Sequence, residues 1–355
     1  MIIKLIFLGD IYSENGLSES WLSDELKQTI AEQDLVSCNL EGPIANMSTP
    51  TKKVGPTLKQ PSSVITQCVS AGIKIFNLAN NHLMDQGIYG LQNTIKTISR
   101  AEANHVGAGY KPLIIKIKDL TIAYISGCEY EFGVTSSSES NKGVAWINDS
   151  EVDMAIIREK SKGYFVVVQS HAGEETSLPL PEWRARYHHF IDLGADIVIG
   201  HHPHSPQGWE SYHHRMIYYS LGNFYFKHSV INSSKSGYLV SLSIKRDHSY
   251  ATTVIPISTN HDVVGLFPKL IESLHINVEA ISSPRYMLEA DHQAISLWKK
   301  YYSKYFRRSI SRNPVKILKH KDLNYLMILH NIRIESHRFT ITRALTRLIS
   351  KESIK

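Results

Sequence analysis

Cysteine is scarce. Cys38, Cys68 and Cys128 are the only three in 355 residues, too few and too scattered for a disulfide framework. No stretch approaches the roughly 20 consecutive apolar residues of a membrane-spanning helix. Residue 2 opens directly into a strand-like run, with no basic segment and long apolar core before it; no signal peptide is visible, and the cytoplasm is the expected location. Internal repeats and low-complexity tracts are also missing. What is present, 42% hydrophobic residues over this length, suffices for one large α/β core with a smaller appended segment.

Charge is segregated along the chain. Residues 266–355 hold 17 Lys and Arg against 7 Asp and Glu, the rest carries 22 against 26, and the whole nets +6. The chain is accordingly expected to divide into a domain over 1–260 and a basic, mostly helical extension over 266–355. Within the first part, strand and helix patterns alternate. Apolar runs predict strands over 2–8, 34–40, 73–78, 164–168 and 197–199, and later over 217–226, 237–244 and 252–257. Helices are predicted over 19–32, 62–71, 87–100, 149–160 and 181–193. Two polar loops, 46–60 and 133–143, are candidate lids or plain solvated loops.

Chemistry-bearing residues gather at the strand ends. Ile197-Val198-Ile199-Gly200 runs into His201, His202 and His204, with Gly200 expected to turn the chain as it leaves the sheet. The other runs end in Asp10, Glu41, Asn80-Asn81-His82 and His171. Each alone has an ordinary role open to it: a cap or turn for Asp10, a solvated acid for Glu41, a turn pair for Asn80 and Asn81, a satisfied core histidine for His171. Independent coincidence at five strand ends is the harder assumption, and ligands to a metal usually come from several strand ends. Carboxylate, amide oxygen and imidazole together suit Mn, Fe or Zn rather than Mg or Ca.

The blocks Gly9-Asp10, Asn39-Leu40-Glu41-Gly42, Leu78-Ala79-Asn80-Asn81-His82 with Asp85 and Gly87, 171–175, 194–204 and 219–224 resemble, in composition and order, the signature blocks of the CapA family, named for capsule and poly-gamma-glutamate biosynthesis. The resemblance covers about residues 1–245. It implies an α/β fold, the metallophosphatase-like two-sheet sandwich flanked by helices, here with a basic helical C-terminal extension. It also implies a divalent metal centre of two ions, or one plus a weak second site. Asp10 matches the first-strand aspartate ligand, Glu41 the bridging carboxylate, Asn81 and His171 further ligands. Two of His201, His202 and His204 complete the set, with His202 and His204 favoured because Pro203 fixes their spacing. His82 then contacts a substrate oxyanion or protonates a leaving oxygen, with Asn80 and Asn223 as further catalytic candidates. Tyr12 stands where phosphoesterases carry a ligand histidine. Glu174 and Asp196 are candidates to orient ligand imidazoles, Asp196 with the stronger case for a structural role.

The implied activity is a metal-dependent hydrolase or transferase of phosphoester or amide bonds in capsule or cell-surface polymer biosynthesis. The alternative is a non-catalytic accessory protein with a degenerate metal site. The implied partner is an anionic cell-surface polymer or its precursor. Residues 297–308, rich in Trp, Tyr, Phe, Lys and Arg, and 340–354 are helical candidates with three readings: packing onto the catalytic domain, contact with an anionic membrane surface or membrane-bound synthesis complex, or nucleic acid, of which the last is not expected.

Overall fold

A computed structural model describes residues 2–45, 50–137, 143–229, 231, 233–310 and 323–350. Parts of the two polar loops (46–49 and 138–142) and the end of the last helix candidate (351–354) lie outside the described residues.

Two sheets face each other. The first contains β1 (Ile2–Ser13), β2 (Leu35–Leu40), β3 (Ile75–Asn77), β4 (Asn104–Val106), β13 (Asn223–Lys227), β14 (Ser236–Lys245), β15 (Tyr250–Asn260) and β16 (Val263–Leu266). Its order is β16-β15-β14-β1-β2-β3-β4, with β13 also parallel to β1. The second contains β5 (Leu113–Ile117), β6 (Leu120–Cys128), β9 (Phe165–His171), β10 (Ile197–His201), β11 (Trp209–Tyr212) and β12 (Arg215–Tyr218), in the order β11-β12-β10-β9-β6-β5. β7 (Val134–Thr135) and β8 (Val144–Ala145) form a separate ribbon. This is the helix-flanked two-sheet sandwich implied by the resemblance.

The period-2 alternation of side chains explains how one strand serves two cores. Ile3, Leu5 and Phe7 of β1 meet Phe165 and Val167 of β9 and Ile197 and Ile199 of β10 between the sheets. Ile6 and Leu8 turn the other way, against α1 (Asp24–Ala31), α2 (Ser63–Ser70) and α3 (Gly87–Arg100). Val166, Val168 and Val198 pack outward on α4 (Ser150–Ser161) and α5 (Pro181–Asp192). Helix α1 is shorter than the expected 19–32, because the Ser23 side chain caps it by accepting from Leu26 N.

Three local departures shape the site. The first strand does not stop at residue 8. It runs on to Ser13 by exchanging partners, antiparallel to β14 through Phe7 and parallel to β13 from Asp10, so Asp10 sits inside the strand at an irregularity. The expected strand 217–226 is two strands in different sheets, β12 and β13, parted at Gly222, which has a φ of +70°. Gly200 is not at a turn: it lies in β10, where a Cβ would come within 2.0 Å of Tyr219 O. The hairpin β5–β6 was not anticipated.

Beyond β16 the chain is helical: α6 (Leu270–Ser282), α7 (Tyr286–Leu297), a π-helical turn (Trp298–Tyr302), α8 (Ser303–Ile310), α9 (Leu323–Arg333) and α10 (Glu335–Ile349). These elements pack onto the sandwich. Trp298 and Tyr302 are buried with Ile341 and Ala344, Phe306 packs against Trp298, and Leu274 of α6 joins the core between the sheets. Among the described residues no helix is long and apolar enough to cross a membrane.

Candidate metal centre

Parallel strands set the centre. Asp10, Asn39 and Asn77 are neighbours across β1, β2 and β3, and a chain of amides joins them. Asn77 Nδ2 donates to Asn39 Oδ1 at 3.2 Å, and Asn39 Nδ2 donates to both Asp10 Oδ1 at 2.9 Å and Glu41 Oε2 at 2.6 Å. One oxygen of each carboxylate is thereby occupied. The other two, Asp10 Oδ2 and Glu41 Oε1, are buried with no hydrogen-bond donor.

Each of those oxygens faces its own set of donors. Glu41 Oε1 lies 3.5 Å from His171 Nε2, which is 3.3 Å from Asn81 Oδ1 and 3.1 Å from His202 Nδ1. Asp10 Oδ2 lies 3.2 Å from His204 Nδ1, itself 3.1 Å from Asn223 Oδ1. Ligand atoms of Asp10, Glu41 and His171 all lie within 4.8 Å of one another. His201 Nδ1 approaches the oxygen of Asp10 that Asn39 already uses, at 3.2 Å. His201 therefore backs Asp10 rather than facing either unpaired oxygen. His202 and His204 both hold positive φ, 97° and 53°, a strained conformation for residues with a Cβ and one found at functional sites.

The electrostatics describe a centre short of positive charge. Burial would raise the Asp10 carboxyl, but His201 and His204 outweigh it and hold Asp10 well below the usual carboxylate range. Burial and the neighbouring Asp10 charge push Glu41 up to about 8. His204 is raised to about 10 because Asp10 and Glu41 overcome its own desolvation. Burial and His204 lower His202 to about 3, and burial with His202 lowers His171 well below its ordinary value. Buried carboxylate oxygens without a hydrogen-bond donor, beside imidazoles and an amide oxygen, form a group that could hold a divalent metal.

The remaining candidates divide by position. His82 lines the cavity above the centre, and its Nδ1 lies 2.6 Å from Asp85 Oδ2. The other Asp85 oxygen is paired with Lys53. Burial outweighs Asp85 and lowers the His82 pKa. Asn80 does not face the cavity. Its Oδ1 accepts from Gly42 N and His82 N, and its Nδ2 donates to Leu40 O, so it braces the two loops that carry Glu41 and His82. Asn223 accepts from His204 and donates to Ser233 Oγ and Ser234 O. The Tyr12 hydroxyl donates to Lys59 O at 3.1 Å. Asp196 is buried between Lys160 and Arg215, a structural ion cluster remote in kind from ligand orientation.

Sequence reasoning missed Asn39 and Asn77 as the frame of the carboxylates, and it missed Glu129 and Glu131. Both glutamates follow β6, a strand whose outcome no motif announced. Glu129 Oε1 lies 3.6 Å from His202 Nε2, and the carboxylate accepts from Gly173 N, Ser336 N and Ser336 Oγ. Glu174 accepts from Tyr302 OH and Thr340 Oγ1. In return Glu335 accepts from Tyr130 N, Trp146 Nε1 and Asn148 Nδ2. The C-terminal helices are therefore bonded to the loops that carry the centre. Between them lies a cavity of about 680 Å³, lined by His82, His202, His204 and Glu174 below and Lys300 and Tyr301 above.

A helix-flanked two-sheet α/β sandwich, with carboxylates and imidazoles converging from both sheets at strand ends, defines a class of protein with a candidate metal centre. The chain belongs to the bacterial capsule synthesis protein PGA_cap family, whose profile matches residues 4–228. It is 28% identical over 247 residues to the capsule biosynthesis protein CapA of Bacillus anthracis, an alignment covering 64% of this chain and 59% of that protein. It is 29% identical over 276 residues to the PGA biosynthesis protein CapA of Bacillus subtilis, covering 72% of this chain and 71% of that one. The crystal structure of a phosphatase from Mycoplasma pneumoniae overlaps 77% of this chain and 97% of its own at 14% identity, with a TM-score of 0.48.

Proposed function

We propose that this chain is a metal-dependent hydrolase or transferase that acts on a phosphoester or amide bond during synthesis of an acidic cell-surface polymer, on the cytoplasmic side. The observation that carries the reading is the pair of buried carboxylate oxygens, Asp10 Oδ2 and Glu41 Oε1, each left without a donor and each facing imidazoles. Asp10, His204 and Asn223 would hold one cation, and Glu41, Asn81, His171 and His202 the other. A bound divalent cation supplies Lewis acidity toward a phosphoryl or acyl oxygen.

The chain's own groups do the rest. Asn39 fixes both carboxylates through one oxygen each and leaves the second oxygens free for the cations they would hold. Asp85 holds the Nδ1 side of a neutral His82, which leaves the opposite ring nitrogen to accept a proton from the attacking group and pass it to the leaving oxygen. Glu129 approaches His202 and restrains its ring.

Elemental analysis of purified protein beside His171→Ala and His202→Ala tests the centre. Near-stoichiometric Mn, Fe or Zn that falls in both variants, with turnover of aryl phosphoesters or gamma-glutamyl anilides lost alongside, is the expected result. Metal absent from the wild type after incubation with excess Mn or Zn would sink the reading. A non-catalytic accessory role is favoured by one observation, the commitment of the Tyr12 hydroxyl to Lys59 O, which leaves the first-strand motif with one ligand. A loaded centre that turns over neither substrate class would select it.

A further inference from the structure

His202 turns its two ring nitrogens to different neighbours. Nδ1 lies 3.1 Å from His171 Nε2, on the side of the candidate centre, and Nε2 lies 3.6 Å from Glu129 Oε1. The residue has a φ of 97°, a backbone conformation that persists only where the surroundings impose it. A neutral imidazole carries one N–H, so a carboxylate at Nε2 draws the proton there and leaves the Nδ1 lone pair for a cation.

Glu129 is fully buried, and donors from two elements fix it. Gly173 N, two residues after His171, donates to Oε1 at 3.1 Å. Ser336 Oγ donates to the same oxygen at 2.9 Å, and Ser336 N to Oε2 at 2.7 Å. Ser336 is the second residue of α10, where a backbone amide has no acceptor inside its own helix, and Ile334 before the helix supplies no side-chain cap. The Glu129 carboxylate takes that place, at the end of the helix that favours negative charge. Trp183 of α5 settles the direction of the hydroxyl. Its Nε1–H can only donate, and it reaches Ser336 Oγ at 2.8 Å, so the hydroxyl hydrogen is left for Glu129. Glu335 closes the clasp in the opposite sense by accepting from Tyr130 N. Two adjacent residues after β6 thus exchange hydrogen bonds with two adjacent residues of α10.

We propose that Ser336 is a positioning residue of the candidate metal centre: α10 orients Glu129, and Glu129 sets the tautomer and the angle of the His202 ring. The inference rests on the reading of His202 as a ligand under the proposed function. The line from Trp183 through Ser336 to Glu129 has an obligate donor at one end and an acceptor at the other, so the sense of each bond between them is fixed. A helix C-terminal to every strand of the sandwich thereby governs how tightly the centre holds a cation, without touching the cation itself.

Zinc titration of metal-free, full-length protein against a chromogenic chelator tests this. Long-range proton–nitrogen NMR spectra of histidine-labelled protein give the tautomer of His202, whose signals are assigned by their loss in His202→Ala. Wild type is expected to bind zinc and to carry the His202 proton on Nε2 when metal-free. Ser336→Ala should raise the zinc dissociation constant about tenfold or more and spread the His202 proton over both nitrogens. Glu129→Gln, which keeps the shape and loses the charge, should do likewise. Tyr302→Phe removes a different bond that docks the same helices, the one to Glu174, and should leave both readouts as in wild type. The inference is overturned if either readout in Ser336→Ala matches wild type, or if the metal-free wild type carries the proton on Nδ1. It is equally overturned if Tyr302→Phe weakens zinc binding as much as Ser336→Ala, because docking alone would then account for the loss. A wild type that binds no zinc sinks the proposed function together with the inference, whereas zinc binding that ignores Ser336→Ala sinks the positioning role alone.

Discussion

Asn39 is the residue on which both carboxylates depend, since one amide donates to Asp10 and to Glu41. Asn39→Leu removes both bonds and leaves two buried carboxylates further short of donors. It should destabilise the protein by on the order of 3 kcal/mol, read by urea unfolding, because orphaned charged acceptors cost more than the bond itself contributes. A cost near zero would mean that the carboxylates find other partners. The histidine register is also decided residue by residue. His204→Ala should lower metal content and His201→Ala should spare it, since His204 faces the unpaired oxygen of Asp10 and His201 the occupied one. The reverse pattern would shift the ligand register by one flank of Asp10. Gly200→Ala places a Cβ within 2.0 Å of a backbone carbonyl, and neither strand can give way without breaking the sheet. A loss on the order of 3 kcal/mol is expected from this overpacking.

Among the elements, the docking of α10 and the π-helical turn onto the His171 loop has a pH dependence of definite sign. Burial outweighs the hydrogen bonds from Thr340 and Tyr302 and pushes the Glu174 carboxyl up to about 7, against 4.5 for the free group. Between those values the folded state keeps a proton that the unfolded chain has released. Stability from this group is therefore full below about pH 4.5 and is lost as pH rises toward 7. Glu174→Gln keeps the contact without the titration. Thermal unfolding should show the variant gaining on wild type between pH 5 and pH 7.5, and a difference that stays flat would remove Glu174 as the cause. The interleaving of elements also explains why one expected strand became two. Residues 215–218 complete the second sheet, Gly222 reverses the course, and residues 223–227 cross to the first sheet beside Asp10. Apolar character alone does not reveal a change of sheet.

For the molecule as a whole, a candidate centre built from both sheets would tie metal binding to global stability. Whatever binds the folded state alone raises stability by mass action, by about 4 kcal/mol when free metal exceeds its dissociation constant a thousandfold. Removing metal with a chelator should lower the melting temperature of wild type and leave that of His171→Ala unchanged. An equal response in both proteins would show that the chelator acts elsewhere. The C-terminal helices belong to the same unit: their Ser336, Thr340 and Tyr302 satisfy carboxylates on the sandwich loops, and Glu335 is satisfied by those loops in turn.

Much of this was legible in the residues themselves. Buried strands announce their ends through apolar runs that stop at Gly, Pro or Asn, and a polar residue placed just beyond such a run is visible at once; Asp10, Glu41, Asn81, His171 and the 201–204 histidines stand out as candidates in that way. The α/β class is legible in the alternation of strand and helix patterns, and the two-sheet sandwich is what the family resemblance implies. Only the tertiary structure decided the rest, because the deciding contacts join residues far apart in sequence. Asn39 reads as one polar residue in a strand until Asp10 and Asn77 flank it. Glu129 and Glu131 carry no local signal until β6 delivers them to His202 and to the wall of the cavity above the centre. The basic helices could be recognised by composition, but their place over the centre depends on buried hydrogen bonds spanning 128 to 207 positions, such as Tyr302 to Glu174 and Ser336 to Glu129. Composition sets which groups are charged, and packing alone sets which of them lie without a partner.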